Sequence, residues 1–382
     1  MKLLNICGYS WEIGGPSQVI FDHTKVQLRL GAEVTILAPQ SPGERMYPVP
    51  TGARLLTVPR HPLARVLPEF SPDLYSYVRD HADEYDLIHL HGLFHFGSMY
   101  PLAVRTRARR VLTIHGTLDR WAVRKSRWKK SLVSALLQRH LLDRADLIHV
   151  HNGDEADDVH RYLGHAPRRL LVCNNGMDLE QYARLPQPGT FRERWQLSAN
   201  EKIVLFLSRL NVKKGLDLLL PAFRELAARR PDVRLVIAGP DDGYQGAVEQ
   251  FVAENNLGPR VLLTGMLTGD EKLAAFVDAD VFALPTYSES FSIAALEAML
   301  IGSPALLSDR VGFGEQLRAT GAAHVAKLDP ESVRRGLELL LDDAAYAADL
   351  RARGPRFVRE FADINVVATR LYRAFEEVVA GR

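Results

Sequence analysis

With 382 residues, 47% of them apolar and 25% charged, the chain is too long for one ordinary core and too apolar to be disordered, so two globular domains are expected. A formal net charge of +2 excludes the broad basic field of a nucleic-acid binder and makes any basic patch a local one. The two cysteines, Cys7 and Cys173, lie far apart in strand-like apolar runs, and no stretch of 18 apolar residues follows a first strand that begins almost at Met1, so a disulfide scaffold and a membrane-spanning protein are excluded and a cytoplasmic one is expected.

Strand-like runs alternate with helical ones twice over, predicting two doubly wound α/β sheets in tandem. The first set is Leu3–Cys7, Glu33–Leu37, Leu55–Val58, Leu87–Leu90, Val111–Ile114, Leu147–Val150 and Leu170–Val172. The second is Ile203–Leu207, Leu235–Ala238, Val261–Leu263, Val281–Leu284 and Ala305–Leu307. Between them Arg184–Asn200, with two prolines and a glycine, is the predicted linker, carrying a short helix at Phe191–Trp195. Domains are therefore placed at 1–187 and 188–357, followed by a C-terminal helical piece, 358–382. Parallel sheets of this kind bind ligands beyond the carboxyl ends of their strands, where strand order reverses, so the residues just after strands are the candidates.

After the first strand, Gly14 and Gly15 permit close approach of the backbone to a ligand, and Pro16 suits the first turn of a helix predicted over Ser17–Leu30. The stretch is not the Gly-x-Gly-x-x-Gly fingerprint, so a nicotinamide cofactor is not expected. His89, His91 and His95 straddle a strand end with no carboxylates beside them; no metal is assigned, and His91 is a candidate contact for an acceptor. His115, after Thr113-Ile114 and before Gly116, either holds a sugar hydroxyl, meets a phosphate or caps a neighbouring loop. Asp119 is a second candidate acceptor contact. Arg120–Lys130 carries six basic residues and two tryptophans with no acid: a surface for anionic lipid, a solvated helix face, or a patch for a phosphorylated acceptor.

In the second half, Arg209 and Lys214 follow the first strand and suit a diphosphate, or are ordinary surface charges. Asp278-Ala279-Asp280 sits at the amino end of a strand, the wrong end for a ligand, and is read as a cap. The strand Val281–Leu284 leads through Pro285 and a polar turn into an apolar helix ending near Gly302, and the first N–H groups of that helix, around Ser290–Ser292, form an anion site. Glu289 lies in the turn and Glu297 inside the helix. Glu297 is surrounded in sequence by apolar residues and needs a partner, either a buried cation or a sugar or ribose diol.

Glu289 and Glu297 with seven residues between them, Ser290-Phe291-Ser292 after the first and Ala298-Met299 after the second, resemble the signature of family 4 retaining glycosyltransferases of the GT-B fold. Those enzymes usually have glycine where this chain has Ser290 or Ser292. Asn175-Gly176-Met177-Asp178 is similar to the family's Asn-Gly-Val-Asp run at the domain boundary. The resemblance implies two Rossmann-like domains facing a central cleft, with the C-terminal helix packed back on the first. It implies transfer of a sugar from a nucleoside diphosphate sugar, a UDP- or GDP-sugar, to a hydroxyl of a glycan, glycolipid or lipid-linked acceptor in bacterial cell-surface polysaccharide synthesis, without metal or other cofactor. Catalytic roles pass by resemblance to His115, Glu289, Arg209 and Lys214: the two cations on the diphosphate, Glu289 on the donor sugar, His115 close to that sugar. Gly15, Met266, Ser290, Phe291, Ser292 and Glu297 complete the donor set, with the backbone at Met266 beside the base and Glu297 on the ribose. Front-face attack, the departing phosphate taking the acceptor proton, is the route the family implies. A membrane-peripheral location through Arg120–Lys130 accompanies a lipid-linked acceptor. A sugar-nucleotide epimerase of the same build is the alternative enzyme. An idle nucleotide-sugar binder and a pyridoxal-dependent phosphorylase are the more distant readings.

Overall fold

In the computed structural model, residues 1–8, 11, 15–65, 67, 69–118 and 139–381 are described. The chain divides into two compact units, one made of Met1–Asp178 with Ala362–Arg382 and the other of Leu179–Phe361.

The first unit is built on seven strands, β1 (Lys2–Cys7), β2 (Glu33–Gln40), β3 (Arg54–Pro59), β4 (Leu87–His91), β5 (Arg109–Thr113), β6 (Leu147–Val150) and β7 (Leu170–Val172). They are all parallel, in the order β3-β2-β1-β4-β5-β6-β7, so strand order reverses between β1 and β4. Leu3–Cys7 and all of β4 are buried, as expected of central strands with both faces covered. Alternation along the strands makes one face wholly apolar, with Leu4, Ile6, Leu90, Leu112 and Ile148. The other face changes character along its length. Leu3, Leu87, Val111 and Leu147 lie at its amino end, whereas Asn5, His89, His91, Thr113 and His149 carry it into a buried polar zone at the carboxyl end. The register sets Cys7 beside His91, His91 beside Thr113 and Thr113 beside His149, so the polar ends stand level.

That second face is covered in part by the helix Gly15–Arg29 and by the C-terminal helix Ile364–Val379, which presents Ile364, Val367, Ala368, Leu371, Tyr372, Phe375 and Val378 inward at helical spacing. The sequence suggests one long amphipathic helix from Arg356 to Val379. Instead the chain breaks at Asp363, where the Met177 N–H donates to Ala362 O (2.7 Å), the Ile364 N–H donates to Met177 O (3.0 Å), and the Asp363 carboxylate caps the new helix through the Asn365 N–H.

The second unit has six parallel strands, β8 (Lys202–Leu207), β9 (Val233–Ala238), β10 (Val261–Gly265), β11 (Val281–Leu284), β12 (Ala305–Ser308) and β13 (His324–Ala326), in the order β10-β9-β8-β11-β12-β13. The reversal here lies between β8 and β11. The stretch Arg184–Asn200 belongs to this unit and is tied into it. Asp278 accepts N–H groups of Gly189 (2.6 Å), Phe191 (2.9 Å) and Arg192 (3.0 Å), capping the short helix Thr190–Arg194, and Phe191 is buried. Asp280 accepts from the Ile203 N–H and pairs with Arg192 and Lys202. Both aspartates are thus engaged at the amino end of β11, as caps and ion pairs. Among the described residues no helix is long and apolar enough to cross a membrane.

Phe375 is fully buried between the C-terminal helix and the first sheet, with its ring 5.0 Å from that of His89. Replacing it by alanine is expected to lower the unfolding free energy of the first unit by about 3–5 kcal/mol in a denaturant titration; a loss below about 1 kcal/mol would mean that the helix does not hold this face.

Candidate functional site

The second unit sets its candidate residues at the carboxyl ends of its strands, most of them at the reversal of strand order between β8 and β11. Arg209 and Lys214 follow β8, Glu289 follows β11, and Met266, largely exposed, follows β10. Local turn chemistry aims the lysine. The Asn211 side chain accepts from the Lys213 N–H (3.0 Å) to open a single turn, Val212–Lys214, which Gly215 closes at φ +76°. A side chain at Gly215 would collide with the Pro285 carbonyl oxygen, because this turn is pressed against the end of β11. Lys213 O accepts from the Tyr287 N–H and the Thr286 hydroxyl, both at 2.9 Å, locking the two strand ends together.

Lys214 is therefore buried, 8% exposed, and its ammonium is paired with Glu289. Glu289 is held by its backbone, its N–H donating to Arg310 O (3.1 Å) and its carbonyl accepting from the Gly312 N–H (2.7 Å). Arg209 is much more exposed and rests on Asp242 (2.5 Å), whose carboxylate also accepts from the Asn211 amide. Each cation thus carries a carboxylate of its own, one in a nearly dry setting and one in solvent.

The apolar helix after β11 runs Ile293–Ile301, starting slightly later than the sequence suggests. Ser292 is its N-cap, with a left-handed backbone (φ +43°, ψ +73°), and its carbonyl takes the N–H groups of Ala295 and Leu296. Ile293 and Ala294 are therefore the first-turn amides with no acceptor inside the helix. The left-handed value explains why glycine suits this turn. Phe291 is buried, so its side chain packs inward and only its backbone is available to a ligand. Glu297, 3% exposed, has found a half-buried cation: Lys272 Nζ and the Tyr182 hydroxyl both donate to its Oε1 at 2.6 Å.

In the first unit Gly15 opens the helix that follows β1. His91 ends β4 and His115 follows β5, and the structure brings the two together, with His91 Nδ1 and His115 Nε2 at 3.0 Å and their rings stacked. His115 has φ +54°, a backbone value uncommon outside glycine, and Gly116 follows at φ +67°. Asp119 and the basic stretch Arg120–Lys130 lie outside the described residues. Sequence reasoning missed His149 and His151, which join the same array: His151 Nε2 lies 3.2 Å from His115 Nδ1. The signal was available, since β4 finishes in the pattern His-x-His and β6 with the residue after it repeats that pattern.

Burial is the main cause that holds these imidazoles neutral. It pushes His23 down to about 4 and His151 to about 3, and holds His89, His91, His115 and His149 well below the ordinary 6.5, with neighbouring imidazoles lowering the last four further. Asp22, on the helix Gly15–Arg29, goes the other way: burial and the nearby Asp178 raise it to about 7.

With this geometry in place, similarity to known proteins is informative. Residues 13–181 match the family described as Glycosyltransferase Family 4, and residues 189–357 match the one described as Glycosyl transferases group 1. The chain belongs to the family 4 glycosyltransferases. A phosphatidyl-myo-inositol mannosyltransferase of Mycobacterium tuberculosis is 28% identical over 394 residues, spanning 99% of this chain and 97% of its own. A D-inositol 3-phosphate glycosyltransferase of Corynebacterium diphtheriae is 26% identical over 359 residues, or 87% and 83%. Among solved structures, sucrose-phosphate synthase from Thermosynechococcus elongatus (TM-score 0.78, 20% identity, 100% of both chains) and Anabaena HepE in complex with UDP-glucose (TM-score 0.75, 20% identity, 99% and 100%) share the fold. This glycosyltransferase therefore has the GT-B fold, each unit being one parallel-sheet α/β domain of it.

Two outcomes are expected. Ser292→Gly relieves the left-handed serine and raises stability by about 0.5–1 kcal/mol in thermal unfolding; destabilisation would mean that the hydroxyl is needed there. The second concerns pH. Below about pH 6.5 the unfolded chain binds protons at the buried histidines while burial resists this in the folded unit, at His23 until about pH 4 and at His151 until about pH 3, so their stabilisation is lost as pH falls through 6.5. Asp22 has the opposite slope, favouring the folded unit below pH 3.8 and losing that contribution as pH rises to about 7. Near pH 5 His23 and His151 together outweigh Asp22, so unfolding takes up protons, about 1.4 kcal/mol per pH unit for each, and the other four buried histidines act in the same direction. A flat stability between pH 5 and 6.5 would contradict it.

Proposed function

We propose that this glycosyltransferase moves a sugar, with retention of anomeric configuration, from a nucleoside diphosphate sugar to a hydroxyl of a phosphate-bearing or lipid-linked acceptor. The observation that carries the reading is the buried Lys214 paired with Glu289 at the strand-order reversal, with Arg209 and the open first turn of the helix Ile293–Ile301 on the same end of the sheet. A diphosphate is the chemistry that suits two cations and a helix N-terminus. The Anabaena structure with UDP-glucose supports a UDP-sugar as the first donor to try. The names of the inositol-directed relatives support a ring hydroxyl near a phosphate as the acceptor.

On binding, the donor diphosphate displaces Asp242 from Arg209 and shares Lys214 with Glu289. The two cations and the amides of Ile293 and Ala294 then stabilise the charge that grows on the leaving phosphate, each well-placed group lowering the barrier by about 2.7–4 kcal/mol. Glu289 positions the sugar hydroxyls and does not attack. Glu297, with Oε1 committed to Lys272 and Tyr182, offers its second oxygen to the ribose diol. In the first unit, Gly15 and His115 are assigned to the sugar substrate. No metal is required, because the chain's own cations neutralise the diphosphate.

Incubation with UDP-, GDP- and ADP-sugars, with and without inositol phosphates and lipid-linked acceptors, is expected to release nucleoside diphosphate only when an acceptor is present. Donor converted without acceptor would favour the epimerase. The double variant Arg209→Ala/Lys214→Ala should lose at least about 1,000-fold in turnover; unchanged turnover would refute the assignment. Asp242→Asn, which frees an exposed guanidinium from a pair worth at most about 1 kcal/mol, should tighten UDP binding by up to about fivefold in calorimetry, and weaker binding would show that Asp242 assists the ligand.

A further inference from the structure

The carboxyl end of the first sheet holds two separate hydrogen-bonded rows of imidazoles, and they are terminated differently. One row ends on a carbonyl. His149 Nε2 lies 2.7 Å from Cys173 O, so that nitrogen carries the hydrogen and donates. His149 Nδ1 is then a lone pair and accepts from the Thr113 hydroxyl (2.9 Å), which in turn accepts from His89 Nε2–H (2.7 Å). His89 and His149 are thereby fixed with hydrogen on Nε2, the form a free neutral imidazole prefers in water.

The other row ends on a carboxylate. Glu155 stands in the first turn of the helix Gly153–Leu163, where the helix dipole favours negative charge, and its Oε2 accepts from the His151 backbone N–H (3.0 Å). The same oxygen lies 3.9 Å from His151 Nδ1. A lone pair facing a buried carboxylate is repelled, so the hydrogen of His151 sits on Nδ1 and its Nε2 is an acceptor. His115 Nδ1, 3.2 Å away, must then carry hydrogen and donate. His115 Nε2 is left as a lone pair, accepting from His91 Nδ1–H at 3.0 Å. The outer atoms of the row, His151 Nδ1 and His91 Nε2, are both buried with no hydrogen-bond partner among the described residues, so one is an unpaired N–H and the other a spare lone pair; the carboxylate facing Nδ1 places the hydrogen there and leaves the lone pair on His91 Nε2.

We propose that Glu155 and His151 are positioning residues that lock His115 in the Nδ1–H form, so that it meets its substrate as a hydrogen-bond acceptor and selects a sugar hydroxyl over a phosphate oxygen. The choice follows from donor and acceptor count alone: a phosphate offers only acceptors, whereas a hydroxyl can replace His91 as donor to the same Nε2. The left-handed backbone at His115 and the stacking of His91 on its ring hold the imidazole in this orientation. The assignment of a sugar to His115 rests on the proposed glycosyl transfer; the tautomer does not.

Histidine ring nitrogens with and without hydrogen resonate in well-separated ranges, so the full-length protein labelled with ¹⁵N-histidine reports each tautomer directly. His115 is expected with hydrogen on Nδ1, while His89 and His149, as internal controls, carry it on Nε2. His151→Phe fills the space but offers no acceptor and should move the hydrogen of His115 to Nε2, whereas His151→Gln, whose amide oxygen lies near the position of Nε2, should restore Nδ1–H. Titration with UDP-glucose, against UDP alone, reads the substrate. A shift of His115 Nε2 with UDP-glucose only supports hydroxyl acceptance, and an equal shift with both overturns it. If His115 carries its hydrogen on Nε2 in the unaltered protein, the proposal fails whatever the enzyme transfers; if the tautomer is as stated but UDP-glucose does not bind, it is the sugar-nucleotide reading that fails. In turnover, His151→Phe should lose about 10–100-fold in kcat with little change in donor KM, and His151→Gln should recover most of it. An equal loss in both variants would assign His151 to packing alone.

Discussion

An ammonium that cannot reach bulk water must keep an anion, and Lys214 is such a group. Its burial goes with the close contact of Gly215 and Pro285, which brings the ends of β8 and β11 together. Glu289 answers that charge, and its own position is fixed by two backbone hydrogen bonds to Arg310 and Gly312. Removing Glu289 leaves the buried ammonium uncompensated, a change costing up to about 3–5 kcal/mol, whereas Glu289, partly exposed, loses less when Lys214 is removed. A ligand that brings negative charge to this point enters an arrangement already organised around charge neutralisation, and the proposed chemistry depends on that preorganisation.

The two units treat their carboxyl ends differently. The second concentrates formal charge: Arg209, Lys214, Glu289 and the first turn of a helix. The first has buried its polar end under helices and filled it with neutral imidazoles, each row of which is given direction by one fixed acceptor, Cys173 O or the Glu155 carboxylate. Electrostatic work on a phosphate suits the former, and hydrogen-bond selection among neutral groups suits the latter. Both follow from one rule of parallel sheets, that side chains leaving the carboxyl ends of adjacent strands stand level with one another.

Much of this was legible in the sequence because it depended on local pattern. Twelve of the strands announce themselves as short apolar runs; β13, His324–Ala326, does not, because unlike the equally short Leu170–Val172 its apolar run is broken by a histidine. The sequence motif at Glu289 and Glu297 falls at the reversal of strand order, as its place after a strand implied, and Asp278-Ala279-Asp280 was readable as a cap from its place before β11. What pattern cannot give is the partner across the fold. That Glu297 would meet Lys272 and Tyr182, 25 and 115 residues away, is a matter of packing, and so is the pairing of Arg209 with Asp242. The break at Asp363 was hidden because amphipathic spacing continues through it, while its cause, Met177, lies far upstream. Arg184–Asn200 looked like a linker from its prolines, yet the three amides that Asp278 accepts bind it to the second unit. His151 escaped notice because its significance appears only when β5 and β6 are set side by side.

The central claim is that a diphosphate is neutralised at the carboxyl ends of β8 and β11. A crystal structure of the protein soaked with UDP tests it most directly. The account predicts density for the diphosphate within hydrogen-bonding distance of Lys214 and of the Ile293 and Ala294 amides, with Arg209 turned from Asp242 toward it; density at any other place, with the Lys214–Glu289 and Arg209–Asp242 pairs undisturbed, would contradict it.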